Sequence, residues 1–310
     1  MSDTRIEQGC VVVAVDGSEE GFAAVEVATD EARRHGVALH IAHVMPACLS
    51  VGPLLMASDE GVSDYASETV ASAARLACDV APGIVISTHV LAGGRVSELI
   101  GLADGAGLIV VGRRPATALD RAWSGGTLDG IASRPRCPVL VVPEIRRRAG
   151  AVPRVVLGFK SSAHAHELFE AGFRVAQERG AEIEVLHAWK LSGCYDDMIA
   201  RRVGESSTNR DQKGAIRELL APWLDAYPGV QVRIQVVHEY PVRALVEASG
   251  DADRLVLVKP PHGSAVHHLG RTARGTLRFG QCPVEVVPAR RREDPVLTPV
   301  GAERAGRLLP

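Results

Sequence analysis

Two tandem α/β domains, each a doubly wound parallel sheet with helices on both faces, are what this sequence predicts, and three observations carry the prediction. Short apolar runs alternate with segments of helical period along most of the chain, the pattern of βαβ units on a parallel sheet. The second half repeats the first: VVVAVDGS at Val11 is echoed by VVLGFKSS at Val155, LHIAHV by EVLHAW, and RCPVLVVP by QCPVEVVP. The offset, 144 residues from His43 to His187 and 145 from Cys137 to Cys282, is nearly constant, as duplication of a whole unit requires. Finally, 310 residues suffice for two domains of ordinary size, each with its own core.

The first repeat opens with the apolar run Cys10 to Val15, which ends at Asp16 and Gly17. Ser18 stands where a helix cap belongs, with Glu19 and Glu20 in the first turn. Phe22, Val25, Ala28 and Ala32 recur at helical spacing over residues 21–35, and Gly36 stops that helix. Ala38 to Val44 alternates as a second strand. Residues 45–61 have no clear period and read either as a binding lid or as a plain connection. Ser63 to Ala77 is a helix with Ala66, Val70, Ala73 and Ala77 on one face. Ile84 to Leu91 follows as a strand, and Arg95 to Ala103 as a short helix.

Leu108 to Val142 closes the repeat and holds the candidate chemistry. Leu108 to Val111 is an uninterrupted apolar run ending at Gly112, the mark of a strand buried on both faces. A loop then leads to Gly125, Gly126 and Thr127, just ahead of a helical segment over Leu128 to Ser133. Such a helix start offers unpaired N–H groups to an anion. Pro135 and Pro138 bracket a turn before the last strand, Val139 to Val142.

On these residues the chain resembles the universal stress protein family, whose signature is strand, GxxG, nine residues, G(S/T), helix and CPVLVV. Gly112 matches the first glycine, and Pro115 stands where the second belongs. Nine residues, Ala116 to Ser124, lead to Gly125; Gly126 fills the Ser/Thr place, with Thr127 one position later. The resemblance implies a five-stranded sheet of order 3-2-1-4-5 in each domain and association through the last strands, Val139 to Val142 and Val284 to Val287. It also implies an adenine nucleotide, ATP with Mg²⁺ as its companion, at the strand ends of the first domain. Adenine and ribose contacts fall to Ala14, Asp16, Val44 and Val111, and phosphate contacts to Gly112, Pro115, Gly125, Gly126 and Thr127.

Each of these residues also has a plain structural reading. Asp16 suits a ribose hydroxyl or an Asx-turn equally; Val44 and Val111 could flank a purine or belong to the core; the glycines serve phosphate approach or a tight turn. Pro115 removes an N–H donor and fixes φ. Arg113 and Arg114 either offset that loss by charge or are solvated, and Trp123 anchors the loop.

The second repeat departs further. GFKSS puts Lys160 at the place of Asp16, and VLVKPPHG puts Lys259 at the place of Gly112. Gly270 is kept, with Arg271 in the Ser/Thr place. Lys160, Lys259, His262, His267, His268 and Arg271 either converge on an anion, more strongly when the histidines are protonated, or line a solvated loop. His262, His267 and His268 have no cysteine or acid at ligand spacing, so no metal is expected. His43 and His187, at matching sites, read as satisfied structural histidines.

Composition bounds the rest. A net charge of −2 gives no general attraction to nucleic acid or acidic lipid. The opening residues MSDTRIEQG lack a signal-peptide core and no apolar run is long enough to cross a bilayer, so the cytoplasm is the expected compartment. Cys10, Cys48, Cys78, Cys137, Cys194 and Cys282 show no CxxC spacing and read as reduced thiols. No nucleophile and base pair or Walker lysine loop is present, so slow ATP hydrolysis is the most turnover expected. The expected organisation is a first domain over 1–146, a linker over 147–153, a second domain over 154–290 and a tail over 291–310. The expected role is a stress-response protein that binds ATP in the first domain, uses the second for pairing or contact with a protein partner, and self-associates through the last strands. The alternative is an interaction scaffold with both pockets degenerate.

Overall fold

The computed structural model describes residues 6–46, 59–114, 125–143, 152–190, 205–259 and 269–289, and the chain divides into two compact units, Met1–Arg146 with Ala265–Leu269, and Arg147–Ser264 with Gly270–Pro310. In the first unit the order is β1 (Val11–Ala14), α1 (Glu19–His35), β2 (Leu39–Pro46), α2 (Asp59–Val80), β3 (Ile86–Gly93), α3 (Arg95–Leu102), β4 (Leu108–Gly112), α4 (Gly125–Ser133) and β5 (Val139–Val142). In the second it is β6 (Arg154–Gly158), a 3₁₀ turn (Ser162–His164), α5 (Ala165–Arg179), β7 (Glu182–Trp189), α6 (Glu205–Ala226), β8 (Val232–His238), α7 (Pro241–Ser249), β9 (Arg254–Lys259), α8 (Arg271–Phe279) and β10 (Val284–Pro288). Among the described residues no helix is long and apolar enough to cross a membrane. The tail expected over 291–310 and most of the linker lie outside the described residues.

Strand order is β3-β2-β1-β4-β5 in the first unit and β8-β7-β6-β9-β10 in the second. The pairs of β1 with β2 and β4, and of β6 with β7 and β9, are parallel, as the 3-2-1-4-5 expectation requires. Alternate residues therefore face opposite sides of each sheet. In the first unit Val11, Val13, Leu39, Ile41, Val110 and Leu140 pack with Ala24, Val25 and Ala28 of α1 and Val70 and Ala73 of α2. In the second, Val155, Leu157, Ile183 and Val185 pack with Phe169 and Phe173 of α5 and Leu220 and Trp223 of α6. The remaining face of each sheet lies under the two short helices, α3 and α4 or α7 and α8.

Local signals behave as read. Ser18 caps α1, its Oγ accepting from the Gly21 N–H at 3.2 Å. Gly36 ends the helix in the left-handed region at φ 64°, its N–H satisfying the carbonyls of Ala32 and Arg33. Cys10, Cys78, Cys137 and Cys282 are free thiols, all but Cys78 buried. Burial, the main cause, pushes the Cys10 thiol up to about 11, which keeps it protonated and inert.

One element of the second core has no counterpart in the first. Glu285, fully buried on β10, accepts from Arg254 Nη1 at 3.0 Å and from Arg174 Nη2 at 3.3 Å. At the equivalent register the first unit has Leu140 and Leu108, both buried, so the same place in the fold accepts either a charge pair or two leucines. Removing one partner strands a buried charge, whereas replacing both restores an apolar contact. Glu285→Leu is expected to cost about 3–5 kcal/mol in urea unfolding. Arg254→Leu/Glu285→Leu together are expected to recover most of that loss. A double variant as unstable as the single one would contradict the equivalence.

Candidate functional site

In each unit the first strand lies between the second and the fourth, so the chain leaves β1 and β4 in opposite directions and opens a crevice at their C-terminal ends. Register assigns the residues that face it. Ala14 pairs with Ala42 on β2 and with Val111 on β4, and Val44 lies two residues beyond Ala42. Ala14, Val44 and Val111 thus share the face that lies under α3 and α4, and Asp16 continues it past the end of β1. Exposure rises toward this end. Val12, Ala42 and Ile109 are fully buried, whereas Ala14 and Val44 are half-buried; Val111 stays covered.

The turn after β1 is tied down from several sides. Asp16 Oδ1 accepts from the Ser18 N–H at 3.1 Å and from the Ser18 hydroxyl at 2.5 Å, an Asx-turn leading into the cap of α1. Its other oxygen, Oδ2, lies 3.7 Å from Arg114 Nη1, with both side chains substantially exposed. Gly17 has φ +82°, and a Cβ there would lie 2.1 Å from the Tyr65 hydroxyl. That hydroxyl donates to the Asp16 carbonyl at 3.3 Å. From below, His43 Nδ1 bonds the Val15 carbonyl at 2.9 Å. A carbonyl only accepts, so Nδ1 carries the proton. His187 makes the same bond to the Phe159 carbonyl at 3.0 Å, and both histidines are the structural ties expected.

Two sequence assignments change. Gly125, Gly126 and Thr127 are the first turn of α4, not a loop ahead of it. Their amides are therefore the unpaired donors of the helix start itself, at the crevice end, because a crossover helix runs antiparallel to its strands. The second change concerns Gly112 and its counterpart. Gly112 pairs with Val142, and the residue in that register in the second unit is Val258, opposite Val287; Lys259 follows it. Pro115 and the residues to Ser124, Trp123 among them, lie outside the described residues, as do His262, His267 and His268.

Gly112 also has a role that sequence did not disclose. A Cβ there would lie 2.4 Å from the Glu20 carbonyl oxygen and 2.8 Å from the Gly21 nitrogen, so the glycine lets the first turn of α1 rest directly on the end of β4. In the second unit Val258 occupies this register, and the equivalent helix begins later, at Ala165, after a 3₁₀ turn.

The second crevice is built differently at its base. Gly158 stands in the register of Ala14, and a Cβ there would meet Leu257 Cδ2 at 2.4 Å and Leu245 Cδ2 at 3.2 Å. Leucine side chains thus lie against this strand end, while Gly158 and Ala188 are half-buried like their counterparts Ala14 and Val44. Lys160 is exposed, whereas Lys259 is buried. Among the described residues no three His, Cys, Asp or Glu side chains gather to hold a metal ion.

Comparison with known proteins agrees with this architecture. The model of the universal stress protein family matches twice, over residues 10–143 and 152–288. A universal stress protein of Mycobacterium tuberculosis strain H37Rv is 28% identical over 315 residues, covering 93% of this chain and 96% of the relative. The crystal structure of a universal stress protein from Archaeoglobus fulgidus DSM 4304 superposes with a TM-score of 0.67 at 18% identity, covering 94% of this chain and 100% of that one. A further universal stress protein structure from Archaeoglobus fulgidus, in complex with dAMP, is 23% identical, with a TM-score of 0.34 over 44% of this chain and 98% of its own.

The close approach at Gly112 is open to a direct check. Gly112→Val is expected to destabilise the first domain by about 2–3 kcal/mol through overpacking against backbone that cannot yield, read as a lowered midpoint of denaturant unfolding. Unchanged stability would show that α1 is not seated on β4 as described.

Proposed function

The chain belongs to the universal stress protein family, and on that premise we propose that its first domain binds an adenine nucleotide at the ends of β1, β2 and β4. The observation that carries this reading is the chemistry at the end of the first crevice: Asp16 follows β1 beside the half-buried Ala14 and Val44, whereas the second crevice has the exposed Lys160 in that place and two leucines against Gly158. In this reading the adenine lies against Ala14, Val44 and Val111, the ribose against Asp16 in place of the Arg114 contact, and the phosphates on the α4 amides of Gly125, Gly126 and Thr127, with Gly112 and Pro115 assigned to the approach. Helix-start amides suit phosphate because donors and macrodipole both point outward. Mg²⁺ enters as the counterion of a triphosphate.

The role that follows is nucleotide sensing or storage in a cytoplasmic stress response, without turnover beyond slow hydrolysis. The second domain serves pairing or contact with a protein partner, and copies of the chain associate through their last strands. The two functional domains are 1–146 and 154–290. A scaffold without nucleotide is the second reading, and it too has an observation behind it: both oxygens of Asp16 already face protein groups, Ser18 and Arg114.

Calorimetry separates the two. Full-length protein stripped of ligand is expected to give a saturable heat with ATP and Mg²⁺ or with AMP below about 1 mM, the range of weak but specific binding. Asp16→Ala and Gly125→Val are each expected to weaken it by about tenfold, or about 1.4 kcal/mol. Absence of heat with every nucleotide favours the scaffold; binding that neither substitution weakens would move the site elsewhere.

A further inference from the structure

The face of the first sheet that lies under α3 carries a pair of imidazoles unconnected with the crevice. His40, on β2, is buried, and its Nδ1 lies 2.9 Å from Nε2 of His89 on β3. The rings are within 18° of parallel and their centroids 5.2 Å apart. That separation is the N···N gap plus the two ring radii, so the hydrogen bond runs in line with both rings. One nitrogen donates and the other accepts, which the neutral pair satisfies with a single shared proton. Nε2 of His40 is buried with no hydrogen-bond partner among the described residues, so an imidazolium there would carry an N–H into a place without an acceptor.

The second copy explains what this pair is for. Its β7 residue in the register of His40 is Glu184, buried, which bonds Arg233 of β8 and lies 3.9 Å from Arg154 of β6. Both copies thus tie the outermost strand of the order to its neighbour at the same place. In the second copy the tie is an ion pair between a carboxylate and a guanidinium. In the first it is two groups that exchange protons near neutrality.

We propose that the His40 and His89 pair is an acid-released tie, which holds β3 on the first domain's sheet at neutral pH and lets it go when both rings become imidazolium. Two imidazoliums cannot share one hydrogen bond, and at this distance their charges repel. β3 is the outermost strand of the order, with a sheet neighbour on one side only, and Val90 on it is exposed.

The surroundings set the sign. Burial, the larger cause, lowers both imidazoles below their usual value; Glu7, ahead of β1, pulls His40 partly back, and the charge of His40 pushes His89 down further. From β1 the neighbour in register with His40 is the apolar Val12. Helix α3 turns Leu99 and Leu102 inward, and of its charged residues, Arg95 and Glu98, Glu98 lies against Gly93 at the far end of β3. A folded chain that resists protonation binds fewer protons than the unfolded one once the pH drops below about 6.5, so stability contributed by the neutral pair is present above that value and is lost as the pH falls.

Hydrogen exchange of the full chain, with rates corrected for intrinsic pH dependence, tests the tie. Between about pH 7.5 and about pH 5, the span over which histidines change charge, protection of residues 86–93 is expected to fall about tenfold. Protection of residues 232–238 in β8 is expected to hold. His89→Gln, which keeps a hydrogen-bonding side chain but does not titrate, is expected to remove the pH dependence; His89→Asn serves if the glutamine variant does not fold. Equal protection of β3 at both values, an equal loss in β8, or a loss that persists in the glutamine or asparagine variant would each overturn the proposal.

Discussion

The position of β1 between β2 and β4, and of β6 between β7 and β9, is the constraint on which the rest of each domain depends. With the first strand of each repeat in the middle, the connection after it and the connection after the fourth strand must part, and the crevice between them is a product of topology before any side chain is chosen. The same placement buries the central strands on both faces, which is why they read as unbroken valine and leucine runs. It also brings backbone close to backbone at the crevice floor. Gly112 tolerates the first turn of α1 on β4 because it has no side chain, and the His43 bond to the Val15 carbonyl holds β2 to the strand end that carries Asp16.

Duplication makes the molecule its own control. Where the first copy has Leu108 and Leu140, the second buries Arg254 and Glu285. Where the first has Gly112, the second has Val258 and a helix that starts later. At the register of Ala14 the second has Gly158, with Leu245 and Leu257 leaning over it. The histidine tie to the first strand and the left-handed glycine that ends the first helix, Gly36 or Gly180, are kept by both copies. The backbone design was retained, therefore, while the chemistry at its open end diverged.

Much of this was legible in sequence because it rests on local chemistry. Strand cores, the Ser18 cap, the Gly36 stop and the matched histidines follow from patterns within a few residues of each other. What escaped depends on registration between distant segments. The start of α4 was read too late because Gly125 and Gly126 have poor intrinsic helix propensity, which tertiary packing overrides; Gly130 of the same helix packs on Val96 of α3. Lys259 was aligned with Gly112 by motif spacing, whereas the strand pairings carry two more residues between the first and fourth strands of the second copy than of the first. The contact of His40 with His89 is diagonal across two strands, and no linear pattern announces it.

The claim most exposed to test is that the two crevices differ in chemistry, the first keeping Asp16 at its strand end and the second having Lys160 there and leucines against Gly158. Backbone amide NMR of the full chain during a titration with AMP addresses it directly. Shifts confined to Ala14, Asp16, Val44, Val111 and the first turn of α4, with Gly158, Ala188 and Leu257 unmoved, are the expected result. Shifts centred on Gly158 and Leu257, or none in either domain, would contradict it.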